Sequence, residues 1–358
     1  MLLLPDMESR GGLKNLPFPK SLLDFQRLFG SNEACAKYLE QVRWPDGWVC
    51  PHCQDKAESI RISTRPHVLR CRACKKETRL TAGTVMQDSH TDLLTWFWAA
   101  YLVTSLTPGM SAVQFQRQLG IKRYETAFQL LHKLRAGMVR MDADQIGGVN
   151  TVELDEVWIG GRTRGEGKGT HHKTLVVGCV EVCHRKGPKP TENPFGEHSK
   201  AVPRRSGKYA GRIRLAVVSD RTSESLVGFA RSAIAPGSDI ITDDCPSYAG
   251  LKKHDFKHQA FAENGDPNVA EEKMPLIHLV FSNLKAWLLG IHHGVSPQHL
   301  QAYLNEFTFR FNRRFYPFNS FRSILGIGSN TESLTYAELY DADCKHPSFM
   351  DVAFVGES

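Results

Sequence analysis

The alternation of apolar and polar residues in the second half of the chain is typical of β-strands. Residues 151–161 read TVELDEVWIGG, in which Val152, Leu154 and Val157 are apolar and two glycines end the run. Three more strands and one helix are predicted over 173–182, 212–220, 239–244 and, for the helix, 223–235. The pattern therefore predicts three strands, a helix, and a fourth strand that ends in acidic residues.

Apolar residues at helical spacing dominate the remaining segments. Predicted helices lie over 21–29, 33–42, 92–105, 111–119, 124–139, 276–290 and 298–315. In the helix over 276–290, the apolar residues recur every three or four positions. His278 and Lys285 are seven positions apart and so lie on one flank of this helix, whereas Asn283 lies on the opposite flank.

The helices over 111–119 and 124–139 are joined by a short turn that contains Gly120, which is the pattern of a helix-turn-helix. Four cations of this region, which would contact DNA phosphates, are Lys122, Arg123, Lys133 and Arg135. An ordinary helical hairpin produces the same pattern. We expect a helical, helix-turn-helix-like region over 90–146, after a helical lead-in over 1–43.

Two Cys-x-x-Cys pairs lie between these helical segments. Cys50 and Cys53 form the first pair, and Cys71 and Cys74 form the second after seventeen intervening residues. This is the spacing of a four-cysteine zinc ribbon, in which two knuckles hold one tetrahedral ion. A redox role is the weaker alternative, because no βαβ pattern surrounds the pairs. The sequence predicts a zinc ribbon over 44–82 with one structural Zn²⁺.

Composition narrows the class of protein without identifying it. The chain has 358 residues, is 41% hydrophobic and carries a formal net charge of +7, which permits a polyanionic partner. No apolar run approaches the roughly 20 residues of a membrane span, and the first ten residues lack the pattern of a secretory signal.

Two other basic segments have open interpretations. The Pro- and Gly-rich insertion over 184–211, which contains Arg204 and Arg205, is either a solvated loop or a grip on a DNA backbone. The helix over 298–315 carries Arg310, Arg313 and Arg314, which are either surface charges or phosphate contacts.

Asp155 is the residue that gives the strand pattern a chemical meaning. A carboxylate inside a strand is costly unless it has a partner such as a metal ion, although an edge-strand Asp that faces water is the simpler explanation. The strand order and the acidic end of the fourth strand are those of an RNase H-like sheet, whose first and fourth strands carry carboxylates that bind two catalytic metal ions.

Several motifs together resemble an insertion-sequence transposase. They are LDEVWIGG, ITDDCPSY, the CPHC and CRAC pairs, and the run LKAWLLGIHHGVSPQHLQAYLNEFTFRFNRR. The group that they resemble is related to the eukaryotic Merlin elements and has an N-terminal zinc ribbon followed by an RNase H-like DDE domain. The resemblance covers roughly residues 20–320, and the order and spacing of the motifs are specific.

The resemblance implies a multidomain α+β protein. After the zinc ribbon and the helical region it implies an α/β RNase H-like catalytic domain with a mixed sheet over 148–318, and then a C-terminal tail over 319–358. The catalytic domain would hold two Mg²⁺ or Mn²⁺ ions, and the ribbon one Zn²⁺.

The resemblance also implies which residues act at the catalytic site. Asp155 and Asp243 match the first two catalytic carboxylates, and Lys285 matches a lysine that follows the third by seven residues. Counting back from Lys285 places His278 at that third position, where the family has Glu or Asn. Asn283 is the alternative third ligand, because it offers an oxygen.

The implied partner is double-stranded DNA, namely the terminal inverted repeats and a target. We expect a homodimer or a higher oligomer on DNA, no membrane association, and a bacterial, cytoplasmic and nucleoid-associated location. The competing hypotheses are a catalytically degenerate DNA-binding regulator and an RNase H-like nuclease that cleaves but does not join strands.

Overall fold

The computed structural model describes residues 16–56, 58–140, 144–160, 173–184, 207–262, 272–331, 333–335 and 338–339. The chain forms two compact units. The first comprises residues up to 142, 291–293 and the segment from 301 to 350; the second comprises 143–290 and 294–300, with 351–358. Within the described residues, no helix is long and apolar enough to cross a membrane.

The first unit is largely helical. Its helices are α1 (Leu22–Leu28), α2 (Asn32–Arg43), α3 (Leu93–Ser105), α4 (Ala112–Gln118), α5 (Tyr124–Ala136) and, near the end of the chain, α9 (Pro317–Gly328). Side chains of Ser21, Ser31, Asp92 and Ser111 accept a backbone N–H in the first turn of α1 to α4. These caps satisfy donors that have no partner within the helix, and they fix where each helix begins.

The core of the first unit is rich in aromatic side chains. Phe25, Phe97 and Phe321 are all buried in one cluster, and the Phe25 and Phe321 rings meet edge to face with centroids 6.2 Å apart. Because α9 supplies Phe321 to this core, the prediction of a tail from residue 319 was wrong for its first ten residues. Burial of its apolar face stabilises α9.

A small antiparallel sheet lies between α2 and α3. It consists of β1 (Ile60–Ile62), β2 (Arg65–Arg70) and β3 (Glu77–Arg79), in that order. Its core among the described residues is Trp48, Cys50, Leu69 and Cys71. So few apolar side chains bury little surface, which is the usual reason that such a module needs a metal ion.

The second unit is built on a five-stranded mixed sheet. Its strands are β4 (Val152–Ile159), β5 (Thr174–His184), β6 (Lys208–Val218), β7 (Asp239–Asp243) and β8 (Lys257–Phe261). The spatial order is β6-β5-β4-β7-β8, with β4 to β6 antiparallel and β7 parallel to both β4 and β8. This arrangement confirms the predicted fold class of a zinc ribbon and helices followed by a mixed α/β sheet.

Two strands of this sheet extend into the predicted insertion. His184 belongs to β5 and Lys208 begins β6, so both ends of the predicted insertion over 184–211 are strand. The strand β8 was missed, because its sequence KHQAF is mostly polar and half-exposed.

The two faces of the sheet carry different elements. One face packs Val152, Leu154 and Ile240 against α6 (Ser223–Ala233) and the 3₁₀ helix Pro246–Lys253. The other face meets α7 (Pro275–His292). The next helix of the chain, α8 (Pro297–Asn312), lies mostly in the first unit. Because side chains alternate along a strand, Glu153 and Asp155 face α7.

Candidate functional site

Asp155 and Asp243 lie on neighbouring parallel strands. In the β4–β7 pair, Val152 is opposite Ile240 and Glu153 is opposite Ile241. Continuing this offset along both strands brings Asp155 level with Asp243. Paired residues of a sheet project to the same face, so both carboxylates point to the α7 side.

The surroundings of Asp243 disfavour its negative charge. The pKa of Asp243 is raised to about 6, chiefly by burial and also by the negative charges of Glu156 and Asp155, whereas the N–H of Cys245 and the charge of Arg221 oppose the rise. The Cys245 N–H donates to Asp243 Oδ1 at 3.2 Å. A bound cation would stabilise the ionised form of half-buried acidic groups that repel one another.

The helix α7 places a third potential metal ligand, His278, beside Asp155. His278 Nε2 lies 3.4 Å from Asp155 Oδ2. Asn283 is exposed on α7 and lies about 140° around the helix from His278. Lys285, about two turns beyond His278, is also exposed. The geometry thus joins His278 to Asp155, and does not bring Asn283 to the same place.

Sequence reasoning missed Glu153, whose side chain connects the strand to the helix. The residue is 2% exposed, and its Oε2 accepts the N–H groups of Leu276 at 2.8 Å and Ile277 at 2.7 Å. Burial raises the pKa of Glu153 to about 7, against the opposing effect of these two donors. The sequence feature that could have identified Glu153 is its position, two residues before Asp155 and so on the same face of the strand.

Glu156 was also missed, and it lies on the opposite face of β4 from Asp155. Its carboxylate pairs with the Arg221 guanidinium and accepts the hydroxyl of Tyr248. Burial raises the pKa of Tyr248 well above its ordinary value, and the charge of Glu156 adds to this, so the hydroxyl keeps its proton. Glu156 thereby holds the half-exposed Arg221 in an ion pair beside β4.

The donor set of the site suits a divalent cation. Two carboxylates and one imidazole are ligands that Mn²⁺ accepts, whereas Mg²⁺ prefers oxygen. Within the described part of the chain, only the four cysteines bring three or more His, Cys, Asp or Glu donor atoms within 4.8 Å of one another. Asp155, Asp243 and His278 are therefore spaced more widely than the cysteine ligands.

The four cysteines form a compact cluster. Cys50 Sγ lies 3.7 Å from Cys74 Sγ, and Cys53 Sγ lies 3.6 Å from Cys71 Sγ. A tetrahedral zinc ion with bonds of about 2.3 Å would separate its sulfurs by about 3.8 Å, so the cluster fits one Zn²⁺. This agrees with the structural zinc predicted from the sequence.

The two knuckles of the ribbon have the same backbone design. Gln54 follows the first pair and Lys75 the second, and both have a positive φ of 62°. Each returns its N–H to the carbonyl of the first cysteine of its pair, at 2.9 Å for Gln54 and 3.1 Å for Lys75. These turns aim both cysteines of a pair at one point, which explains why the cluster forms from local sequence.

The candidate DNA contacts divide into exposed and buried groups. Lys122 and Arg123 are exposed at the start of α5, where a recognition helix makes its contacts. Lys133 instead donates to the carbonyl of Gln87 at 3.0 Å, and burial lowers its pKa. Arg204 and Arg205 lie outside the described residues. The helix-turn-helix pattern thus presents two cations at its turn.

Arg135 is part of the core and not of the surface. It is 1% exposed, its Nε lies 2.9 Å from Glu306 Oε2, and its guanidinium stacks on Tyr303 at 3.9 Å. Arg310 also pairs with Glu306, and it donates to the carbonyls of Leu106 and Thr107. The prediction that Arg135 binds a DNA phosphate was therefore wrong, because its guanidinium is buried and paired with Glu306.

The two arginines that follow α8 are half-buried. Arg313 lies over the ring of Phe309 at 4.0 Å, and Arg314 lies over Phe311 at 4.0 Å and Phe315 at 4.3 Å. Stacking holds both guanidinium groups against these rings, and both residues are partly exposed. A role on DNA stays a prediction for this pair.

The comparisons with known proteins agree with this arrangement. A family model described as an ISXO2-like transposase domain matches residues 145–312, and one described as a transposase zinc-ribbon domain matches residues 30–77. A protein of Halobacterium salinarum named "Uncharacterized protein in transposable element ISH50" is 25% identical over 293 residues, which cover 79% of this chain and 92% of that protein. No solved structure gives a significant match.

Proposed function

The chain belongs to the IS1595 family of insertion-sequence transposases, as the resemblance in its motifs predicted, and from this we propose that it binds the terminal inverted repeats of its element and catalyses metal-dependent strand cleavage and strand transfer. The observation that carries the proposal is the register of the parallel strands β4 and β7, which brings Asp155 level with Asp243, together with His278 of α7 at 3.4 Å from Asp155.

Asp155, Asp243 and His278 would hold two Mg²⁺ or Mn²⁺ ions between them. When bound, such ions activate a water or a DNA 3′-hydroxyl and stabilise the leaving oxygen of an in-line displacement. The exposed Lys285, on the same helix flank as His278, would bind a neighbouring DNA phosphate and orient the scissile strand.

DNA recognition in this proposal belongs to the first unit. The exposed Lys122 and Arg123 at the start of α5 would contact the backbone of an inverted repeat. The zinc ribbon would add its own basic surface, to which Arg70, Arg72 and Lys75 contribute exposed side chains. A transposition reaction needs two ends together, so we propose that the chain acts as a dimer or higher oligomer on DNA.

Strand transfer by the purified protein tests this proposal. The assay contains a duplex with the element's own ends, a target plasmid and either Mg²⁺ or Mn²⁺. We expect joined products with the wild type and none with Asp155→Ala or Asp243→Ala, while both variants still bind the ends. Asp239→Ala, at the exposed start of β7, is the matched control and should transfer normally.

The competing functions predict different products. End binding without cleavage in either metal would indicate a DNA-binding regulator, and cleavage without joining would indicate a nuclease. Cleavage that survives Asp155→Ala would refute the assignment of the catalytic site itself.

A further inference from the structure

We propose that Glu153 is a positioning residue of the catalytic site, which fixes His278 beside Asp155 by binding the first turn of α7. The inference rests on the proposed function, since it concerns the same metal-binding residues. Glu153 touches neither DNA nor a reacting atom in this proposal. It acts through the helix that carries His278.

The carboxylate of Glu153 joins the two elements that carry these ligands. It accepts the N–H groups of Leu276 and Ile277 at 2.8 and 2.7 Å, and His278 is the next residue of the chain. Glu153 itself lies two positions before Asp155 on the same face of β4. One hydrogen-bonded group thus sets the spacing between the strand ligand and the helix ligand.

The acceptor for α7 comes from a distant part of the chain. Helices α1 to α4 each have a local Ser or Asp acceptor at the position before the helix, and α3 also has Asn32 Oδ1, which accepts the N–H of Leu94 from 62 positions away. For α7, the acceptor comes from a strand residue 123 positions away in sequence. Capping alone requires only a local side chain, so the long-range carboxylate also specifies where the helix lies on the sheet.

Gly178 provides a second, independent restraint on the same helix. It is the β5 residue opposite Asp155, and a Cβ added there would lie 2.8 Å from Phe281 Cε1. Phe281 is buried on α7, one turn beyond His278. Because the helix is in close contact with the sheet at this point, loss of the Glu153 link would pivot its first turn and displace His278.

The test compares three substitutions at Glu153. Glu153→Gln keeps an oxygen that can accept both N–H groups, Glu153→Asp shortens the side chain by one methylene, and Glu153→Leu removes the acceptor at similar volume. Mn²⁺ binding to the free protein is measured by electron paramagnetic resonance, and strand transfer is measured at saturating and limiting Mn²⁺. Thermal unfolding reports whether each variant is folded.

We expect the Mn²⁺ affinity and the transfer rate of Glu153→Gln to stay within about threefold of the wild type. Glu153→Leu should bind Mn²⁺ at least about tenfold more weakly and transfer strands about 100-fold more slowly, because displacing a site residue by about 1 Å can cost about 100-fold in rate. Glu153→Asp should fall between them and serves if Glu153→Leu does not fold. End binding should be unchanged in all three.

The matched control is Glu181→Gln. Glu181 is a buried carboxylate opposite Val152 on β5, so it faces the other side of the sheet and accepts from Gly147 and Arg212. Its loss should lower the unfolding temperature without changing Mn²⁺ affinity. The inference would be overturned if the Glu153 variants lost activity only in proportion to their loss of stability, which is the behaviour expected of Glu181→Gln.

Failure of the inference and failure of the proposed function give different results. Wild-type protein that binds Mn²⁺ but never transfers strands, with weaker binding in Glu153→Leu, would refute the function and keep the positioning role. Normal strand transfer and normal Mn²⁺ affinity in a folded Glu153→Leu would refute the positioning role and keep the function.

Discussion

Asp243 is a carboxyl of the candidate site whose protonation depends on its surroundings. Burial and the charges of Glu156 and Asp155 raise its pKa to about 6. A proton competes with a metal ion for the carboxylate, so we expect Mn²⁺ affinity to fall up to about tenfold per pH unit below pH 6 and to level off above pH 7. Mn²⁺ titrations by electron paramagnetic resonance between pH 5 and 8 measure this. The weaker binding of Asp243→Asn should vary less with pH, and an equal slope in both proteins would contradict the prediction.

His292 makes the first unit sensitive to acid. Burial lowers its pKa to about 4, although the charge of Glu306 opposes the effect. The unfolded chain takes up this proton below about pH 6.5, whereas the folded chain does so only near pH 4. The free energy of unfolding should therefore fall by about 3 kcal/mol as the pH decreases from 7 to 4. Urea unfolding at several pH values measures the change.

The variant His292→Gln removes this titration, so its unfolding free energy should vary less over the same pH range. His293→Gln is the matched control, because His293 is the exposed neighbour on the chain. An acid response that is as steep in His292→Gln as in the control would show that other groups cause it.

At the scale of single residues, the sequence indicated candidate ligands, whose role stays a prediction, but not the residues that support them. Asp155, Asp243 and His278 follow from strand order, local motifs and a family resemblance. Arg135 was misassigned because its partner Glu306 is 171 positions away, and a helical arginine near a DNA-binding pattern gives no sign of burial. Contacts of that length depend on how the helices pack, which periodicity does not encode.

Among the elements, the sheet and α7 are in close contact at Gly178. A Cβ there would lie 2.6 Å from Leu215 Cδ2 and 2.8 Å from Phe281 Cε1. We expect Gly178→Ala to lower the free energy of unfolding by about 1–3 kcal/mol, the usual cost of overpacking, and to slow strand transfer by displacing α7. Urea unfolding and the transfer assay measure both effects.

Gly290→Ala is the control for the preceding substitution. Gly290 lies on the same helix, and a Cβ there would meet nothing within 4 Å. Because alanine favours a helix over glycine, this variant should be as stable as the wild type or more stable by up to about 1 kcal/mol. A loss in Gly290→Ala equal to that in Gly178→Ala would argue against a local clash.

The zinc ribbon should depend on its metal for structure. Its apolar core is small, and the four sulfurs lie 3.6–3.7 Å apart across the two pairs. We expect Cys71→Ser to lose bound zinc and to unfold the ribbon, measured by atomic absorption and by proteolysis between residues 44 and 82. Cys183→Ser, on β5 and outside the cluster, should keep full zinc content. Full zinc content in Cys71→Ser would contradict the four-ligand assignment.

At the scale of elements, strongly patterned segments were predictable and weakly patterned ones were not. The helix α3 is apolar all round because it is buried among other helices, and its run of apolar residues showed this directly. The strand β8 carries few cues of its own, whereas α9 begins with a proline and has Phe321, Ile324 and Leu325 at helical spacing, a pattern that went unrecognised. β8 gains its order from pairing with β7, and α9 from burial of Phe321 and Leu325 in the helical core.

At the scale of the whole molecule, the net charge of +7 does not say where DNA binds. The described structure narrows the choice in the helix-turn-helix-like region, since Lys133 and Arg135 are engaged within the protein and Lys122 and Arg123 are exposed. If these two exposed cations contact phosphates, their loss should weaken end binding in a salt-dependent way and leave the catalytic residues untouched.

The double variant Lys122→Ala, Arg123→Ala tests this localisation. Each lost phosphate contact should reduce the slope of log affinity against log salt by about 0.9, so we expect a total reduction of about 2 and roughly tenfold weaker binding at moderate salt. Fluorescence anisotropy on an end duplex at several salt concentrations measures both quantities. The control, Arg27→Ala with Lys37→Ala, removes the same charge from exposed positions on α1 and α2. Because a general electrostatic attraction depends on total charge, equal losses in both variants would mean that the turn before α5 is not the point of contact; a loss confined to the first would place the DNA backbone there.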